Sequence, residues 1–143
     1  MSLATTLAQA VVAELNRHAF SQPFDAVFSV RPQFDLADIE TFHIVVVPKT
    51  LETTAVSRST IKYSVAIDIG VIKRIGSLTP EEAVEKLGNL VDEIIEYLHS
   101  ATLDDFTAAQ CVTIANEPIY SPEHLTQQRT FFSVINVQYC FGK

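Results

Sequence analysis

Between Ser59 and Val71 the chain reads STIKYSVAIDIGV, with Ile61, Tyr63, Val65, Ile67, Ile69 and Val71 at alternate positions and Lys62, Ser64 and Asp68 among the residues between them. A two-residue period puts all six apolar side chains on one side of an extended chain. The segment is therefore expected to be a long strand with one buried face, and the rest of the chain has to supply a covering layer.

Two segments have the right period to do so. Leu3, Leu7, Val11 and Leu15 recur every four residues, with Ala10 and Ala13 beside them, and predict an amphipathic helix that ends before Ser21, Gln22 and Pro23. The second helix is signed at its start, where Thr79 can cap it, Pro80 suits the first helical position and Glu82 completes a capping box. From there Ala83, Val84, Leu87, Leu90, Val91, Ile94, Ile95 and Leu98 make one apolar face. That face is expected to lie on the sheet.

Four more strands are expected. Phe24, Ala26, Phe28 and Val30 alternate in one, which Arg31 and Pro32 should end. Phe42 to Val47 is apolar at nearly every position, as in a central strand covered on both faces, by a helix and by a second layer or another subunit. Gln110 to Ala115 is a short strand, and Arg129 to Phe141 a long one in which Phe131, Ile135, Val137, Tyr139 and Phe141 share a phase. The stretch PKTLETTAVSRS, from Pro48 to Ser59, lacks a clear period and reads as a projecting loop or hairpin tip. The order is helix, three strands, helix, two strands. It favours an α+β fold, a mainly antiparallel five-stranded sheet with two amphipathic helices packed on it, in a single domain over residues 1–143.

A chain of 143 residues can bury about two thirds of its unfolded surface without help from disulfides or metals. With 48% hydrophobic and 19% charged residues, apolar surface is expected to remain after folding, and such surface usually meets a partner. The formal net charge of -7 argues against binding a nucleic-acid backbone, which needs clustered Lys and Arg. Ile44 to Val47 is the longest aliphatic run, far short of the roughly 20 apolar residues of a membrane-spanning helix. The first twenty residues carry Glu14 and Arg17 in a helical pattern and no basic leader, so synthesis in the cytoplasm without a secretory signal is expected. A hairpin turning around residues 116–129 would set Cys111 opposite a position near Val134 and away from Cys140. Two buried thiols are expected, not a disulfide.

Motifs for chemistry are missing. Gly70, Gly76, Gly88 and Gly142 form no phosphate-cradling loop, no serine lies in GxSxG, and His18, His43, His99 and His124 show no metal-ligand spacing. No catalytic residue, cofactor or metal is expected. A site assembled from His43, Tyr63 and Asp68 is the remaining catalytic arrangement, but Asp68 has the opposite strand parity to Tyr63. The acid pair Glu81 and Glu82 complements a helix N-terminus, Asp104 and Asp105 read as a polar loop, and Asp92 and Glu93 belong to the solvated side of the second helix. That acidic side, with Glu93 and Glu96, is a candidate to meet Arg58, Lys62, Lys73 or Arg74 of a neighbouring copy.

Four features taken together span nearly the whole chain: a first helix ending in AELNRHAF, the segment PKTLETTAVSRS between long strands, the capped helix TPEEAVEKLGNLVDEIIEYL and the closing block SPEHLTQQRTFFSVINVQYCF. The arrangement resembles the bacteriophage tail-terminator and minor tail (head–tail joining) proteins. The resemblance implies a non-enzymatic phage or prophage protein that forms a ring, usually a hexamer, on the last ring of the tail tube. There it would end tube polymerisation and present a surface to the head connector. Its partners would be further copies of itself, the tail-tube protein and head-connector proteins, with no nucleic-acid sequence recognition and no membrane. It would work in the bacterial cytoplasm during assembly and in the virion tail. Residues Lys49 to Arg58 and the strand Phe131 to Phe141 would supply contacts. The alternative is a homo-oligomeric small-ligand-binding or regulatory α+β module. A closed pocket with convergent polar groups would mark that module, and two different complementary faces a ring subunit.

Overall fold

The alternating stretch around Val65 lies at the centre of the sheet. A computed structural model of the chain describes residues 2–30 and 42–142. In chain order they form α1 (Leu3–Arg17), β1 (Phe24–Phe28), β2 (Phe42–Ala55), β3 (Ile61–Arg74), α2 (Pro80–Ser100), β4 (Gln110–Asn116), α3 (Pro122–Gln127) and β5 (Thr130–Gly142). The strands make one sheet in the order β1-β2-β3-β5-β4. The β2–β3, β3–β5 and β4–β5 pairs are antiparallel, and β1 runs parallel to β2.

One face of this sheet carries the core. Val65, Ile67, Ile69 and Val71 of β3, Ile135, Val137 and Tyr139 of β5, and Ile44 and Val46 of β2 are buried there against Leu7, Val11 and Leu15 of α1 and Leu87, Leu90, Ile94 and Leu98 of α2. Both helices are fixed at their starts by the side chains that their sequences offer. Ser2 Oγ accepts the Thr5 N–H at 3.2 Å. Thr79 Oγ1 accepts the Glu82 N–H at 3.2 Å while Glu82 Oε1 accepts the Thr79 N–H at 3.4 Å, so the capping box is closed.

The opposite face is built differently. Val45, Val47 and Ile72 are buried there with Phe132 packed against them. Further along, polar side chains tie neighbouring strands. Asp68 Oδ1 accepts from Asn136 Nδ2 at 2.8 Å and Lys49 Nζ lies 3.6 Å from Asp68 Oδ2. Gln138 donates to Ser64 Oγ at 2.6 Å and accepts from Thr113 Oγ1 at 3.1 Å.

Several expectations need correction. The sheet is mixed, and among the described residues the element order is α-β-β-β-α-β-α-β with three helices. Alternation in FDAVFSV announces a strand but not its direction; residues 29–41 are long enough for the crossover that a parallel pair requires. Their expected end signal, Arg31 and Pro32, lies outside the described residues. β2 does not stop at Val47. It runs through a register shift between Pro48 and Thr50 to Ala55, and the chain turns only over residues 56–60. Proline is tolerated at such a bulge, and the Thr-rich continuation has the β-branched side chains that strands favour. α3 is signed by Ser121 and Pro122, but at 6 residues it is too short to show a period. Cys111 stands opposite Tyr139, not near Val134, because residues 117–121 continue alongside β5, with Glu117 N–H donating to Val134 O and Ser121 N–H to Phe132 O, so the turn closes later in the chain than its midpoint suggests. Both cysteines are free and half-buried.

Candidate functional site

Beyond Pro48, β2 has lost its partner β1, whose pairing ends at Phe28↔Val46. Residues 49–62 are exposed throughout, and the arm they form is closed by Val56 N–H and Ser57 N–H donating to Thr60 O. Leu51, Val56 and Ile61 are 43%, 65% and 40% exposed on this arm. Gathered on one projecting hairpin, these apolar side chains make it a candidate contact surface.

A second apolar surface lies at the other end of the strands. Pro80 and Val84 of α2, with Tyr120, Pro122 and Leu125 around α3, line an open groove of about 440 Å³, with Glu81 at its rim. Ile119 and Tyr120 are exposed beside it. The connection that carries them is anchored to β5, since Ser121 N–H donates to Phe132 O and Val134 N–H to Pro118 O. Arg129, at φ 48°, turns the chain into β5. Its guanidinium donates to Gly76 O at 2.7 Å and Leu78 O at 3.0 Å, which holds the start of α2 against this end of the sheet.

One lateral edge of the sheet, β1, is covered by a side chain. On β1, Asn16 Oδ1 accepts the Ala26 N–H at 2.8 Å and Asn16 Nδ2 donates to Ala26 O at 3.1 Å. The carboxamide thus completes both backbone groups as a neighbouring strand would, and it blunts this edge. Asn16→Ala is expected to cost about 1–2 kcal/mol, from two hydrogen bonds each contributing roughly 1 kcal/mol net. A chemical-denaturation midpoint unchanged by the substitution would contradict this role.

A polar cluster joins α1, α2 and the loop after α2. Glu14 is 6% exposed; it accepts from Tyr97 Oη at 2.5 Å, from Arg17 Nη1 at 3.3 Å and from the Asp104 N–H at 3.5 Å. Arg17 also reaches Asp104 and Asp105, and its hydrogen bond to Asp105 raises its pKa. Burial, then the bond to Glu14, pushes the Tyr97 phenol up to about 12. The His18 ring stacks on Tyr97 at 3.9 Å. Among the described residues this cluster is satisfied internally and ties elements together.

Elsewhere in the core the Tyr139 hydroxyl is buried without a hydrogen-bond partner among the described residues, and burial raises its pKa. An unpaired buried hydroxyl costs roughly 1–3 kcal/mol, so Tyr139→Phe is expected to raise stability by about 1 kcal/mol. A urea midpoint moved downwards would show that the hydroxyl has a role that the structure does not display.

The sequence-predicted contact residues do not share one place. Arg58 and Lys62 lie at the hairpin end, whereas Lys73 and Arg74 close β3, which has 14 residues. At about 3.3 Å per residue this puts them some 40 Å from Lys62. Lys73 stands opposite Phe131 and Arg74 opposite Thr130. On α2, Glu93 is turned towards its own chain, accepting from the Ser21 N–H at 3.1 Å and from Ser21 Oγ. Glu96 is exposed. Parity had no means of revealing the Glu93 contact, which depends on where the 18–23 connection crosses α2.

His43, Tyr63 and Asp68 are not assembled. Tyr63 packs on the helix-covered face, stacked on Phe141, and Asp68 is on the other face with Asn136 and Lys49. His43 pairs with Ile72 and Val47 with Asp68, so His43 and Asp68 are four strand positions apart, about 13 Å. Ser121 Oγ lies 2.7 Å from His124 Nδ1. That contact belongs to the α3 cap, because Ser121 Oγ also accepts the His124 N–H. Among the described residues no group of three or more His, Cys, Asp and Glu could hold a metal ion, and no helix is long and apolar enough to cross a membrane.

No family model matches the chain, and no curated protein matches it. A solved chain without a descriptive name superposes with a TM-score of 0.49 at 14% identity, over 95% of this chain and 90% of that one. A likeness at this level carries no functional argument.

Proposed function

We propose that this protein is a non-enzymatic structural subunit of a phage or prophage tail. It forms a ring at the head-proximal end of the tail, ends tail-tube polymerisation and joins the tail to the head connector. The observation that carries the reading is the presence of two unlike apolar surfaces at opposite ends of the sheet, Leu51, Val56 and Ile61 on the hairpin arm and Tyr120 with Ile119 beside the α2–α3 groove. A two-fold dimer uses one self-complementary patch, whereas a head-to-tail ring needs two different ones. The family resemblance carried by the sequence supplies the tail context, with further copies, the tail-tube protein and head-connector proteins as partners. Its place of action is the bacterial cytoplasm during assembly and then the virion tail.

The capping role is tested by adding the purified protein to tail-tube subunits from the same genome while they polymerise. Tubes that stop growing and carry the protein at one end are the expected outcome. Tubes that elongate at an unchanged rate with no protein at their ends would overturn the tail-terminator role.

A further inference from the structure

Building on the ring reading, we propose that the β2–β3 hairpin tip of one copy docks in the α2–α3 groove of the next. Each subunit is then a donor at one end of its sheet and an acceptor at the other. Three observations converge on this pairing.

The first is shape and polarity. The tip offers Val56 and Ile61 on a narrow exposed hairpin, and the groove is walled by Pro80, Val84, Tyr120, Pro122 and Leu125. Apolar side chains entering an apolar groove are removed from water on both sides of the contact.

The second is charge. From Val56 to Lys62 the tip carries Arg58 and Lys62 and no acid, while the described residues that line the groove include Glu81 and no Lys or Arg. Glu82 is occupied in the capping box, but Glu81 lines the groove and is exposed. Arg129, the cation closest in sequence to α3, is turned to the carbonyls of Gly76 and Leu78. A basic tip facing an acidic rim favours this register and disfavours tip-to-tip and groove-to-groove encounters.

The third is geometry. The length of β3 separates the tip from the groove of its own chain by about 40 Å. A subunit therefore leaves both surfaces unsatisfied until a second and a third copy arrive. Such a contact is heterologous and propagates, closing into a ring when the rotation between copies divides a full turn.

The test uses complementary broken subunits. A tip variant, Val56→Asp with Arg58→Glu, keeps its groove, and a groove variant, Tyr120→Asp with Glu81→Lys, keeps its tip; all four positions lie at the surface. Circular dichroism and thermal unfolding close to the unmodified protein establish that each variant is folded. Each variant alone is expected to be monomeric in native mass spectrometry at concentrations where the unmodified protein assembles. Mixed, they are expected to form a 1:1 heterodimer and nothing larger, because one intact tip and one intact groove remain. Variants that assemble as the unmodified chain does would overturn the docking and leave the ring reading standing. Open filaments of the unmodified protein, lost in both variants, would uphold the docking and overturn the ring. Folded variants that stay monomeric and give no heterodimer on mixing would also overturn the docking, and a monomeric unmodified protein would overturn both.

Discussion

Phe131→Ala is expected to lower the unfolding free energy by about 3–5 kcal/mol, the range for truncating a buried aromatic side chain. Phe131 is 1% exposed and is among the largest fully buried side chains of the fold. It stands on β5 at the helix-covered face, opposite Lys73 of β3, where the sheet meets the layer that α2 begins. Nothing in this region can collapse cheaply into the space left behind, because β3 is fixed beside Phe131 by backbone pairing and the 117–121 connection is hydrogen-bonded to β5 on its other side. Set against a total stability of roughly 5–15 kcal/mol, the loss would bring the domain close to unfolding at ambient temperature. Urea denaturation measures it directly. Phe131→Leu, which leaves a smaller void, should cost much less, and equal losses from both substitutions would show that shape rather than burial governs the site.

The second large effect is expected at Glu14. Glu14→Ala should cost about 2–4 kcal/mol, combining the loss of hydrogen bonds to a charged acceptor with the space left by the side chain. The carboxylate holds the Tyr97 hydroxyl, Arg17 and the Asp104 N–H together. Without it, α1, α2 and the following loop lose a common anchor. Glu14→Gln retains the shape and an acceptor for Tyr97, and should cost less than half as much. The same cluster sets an alkaline limit. The Tyr97 pKa is raised from 10.0 to about 12 in the folded protein. Its contribution is thus complete below about pH 10 and is lost as the pH rises through the folded value. Tyr97→Phe should flatten the fall in stability between pH 10 and 12; an unchanged slope would mean that the phenol ionises as easily folded as unfolded.

Much of the scaffold was legible because it rests on strong periodicities. The alternation from Ile61 to Val71 became the central strand with Val65, Ile67, Ile69 and Val71 buried, and the Thr79, Pro80 and Glu82 signature became a closed capping box. What escaped was set by relations between distant segments. The phase of Phe24 to Phe28 reports a strand but not that it pairs in parallel with β2. Pro48 ends most strands, yet here it sits at a bulge and β2 continues. The β4–β5 register depends on how the 117–129 connection folds, which moved Cys111 opposite Tyr139.

The candidate contacts were legible in kind more than in position. Arg58 was identifiable as an exposed cation of a projecting segment, because a polar, Thr-rich stretch between two strands has few other places to go, and Lys62 as a polar position of the strand that follows it. Of the two acids singled out on α2, Glu93 is bonded to Ser21 of its own chain and Glu96 is exposed. The α2–α3 groove could not be anticipated at all, since it requires a helix of 6 residues and a chain segment docked along β5. Its one sequence signal was the Ser121–Pro122 pair, which marks a helix start without saying what the helix faces.

The central claim is that two unlike surfaces on each subunit drive a closed head-to-tail assembly, and native mass spectrometry across a concentration series, with negative-stain images of the largest species, tests it most directly. The account predicts one closed ring, most simply a hexamer, that grows in abundance with concentration and is followed by no larger species. A monomer or plain two-fold dimer at every concentration, still without rings when tail tubes are added, would contradict it.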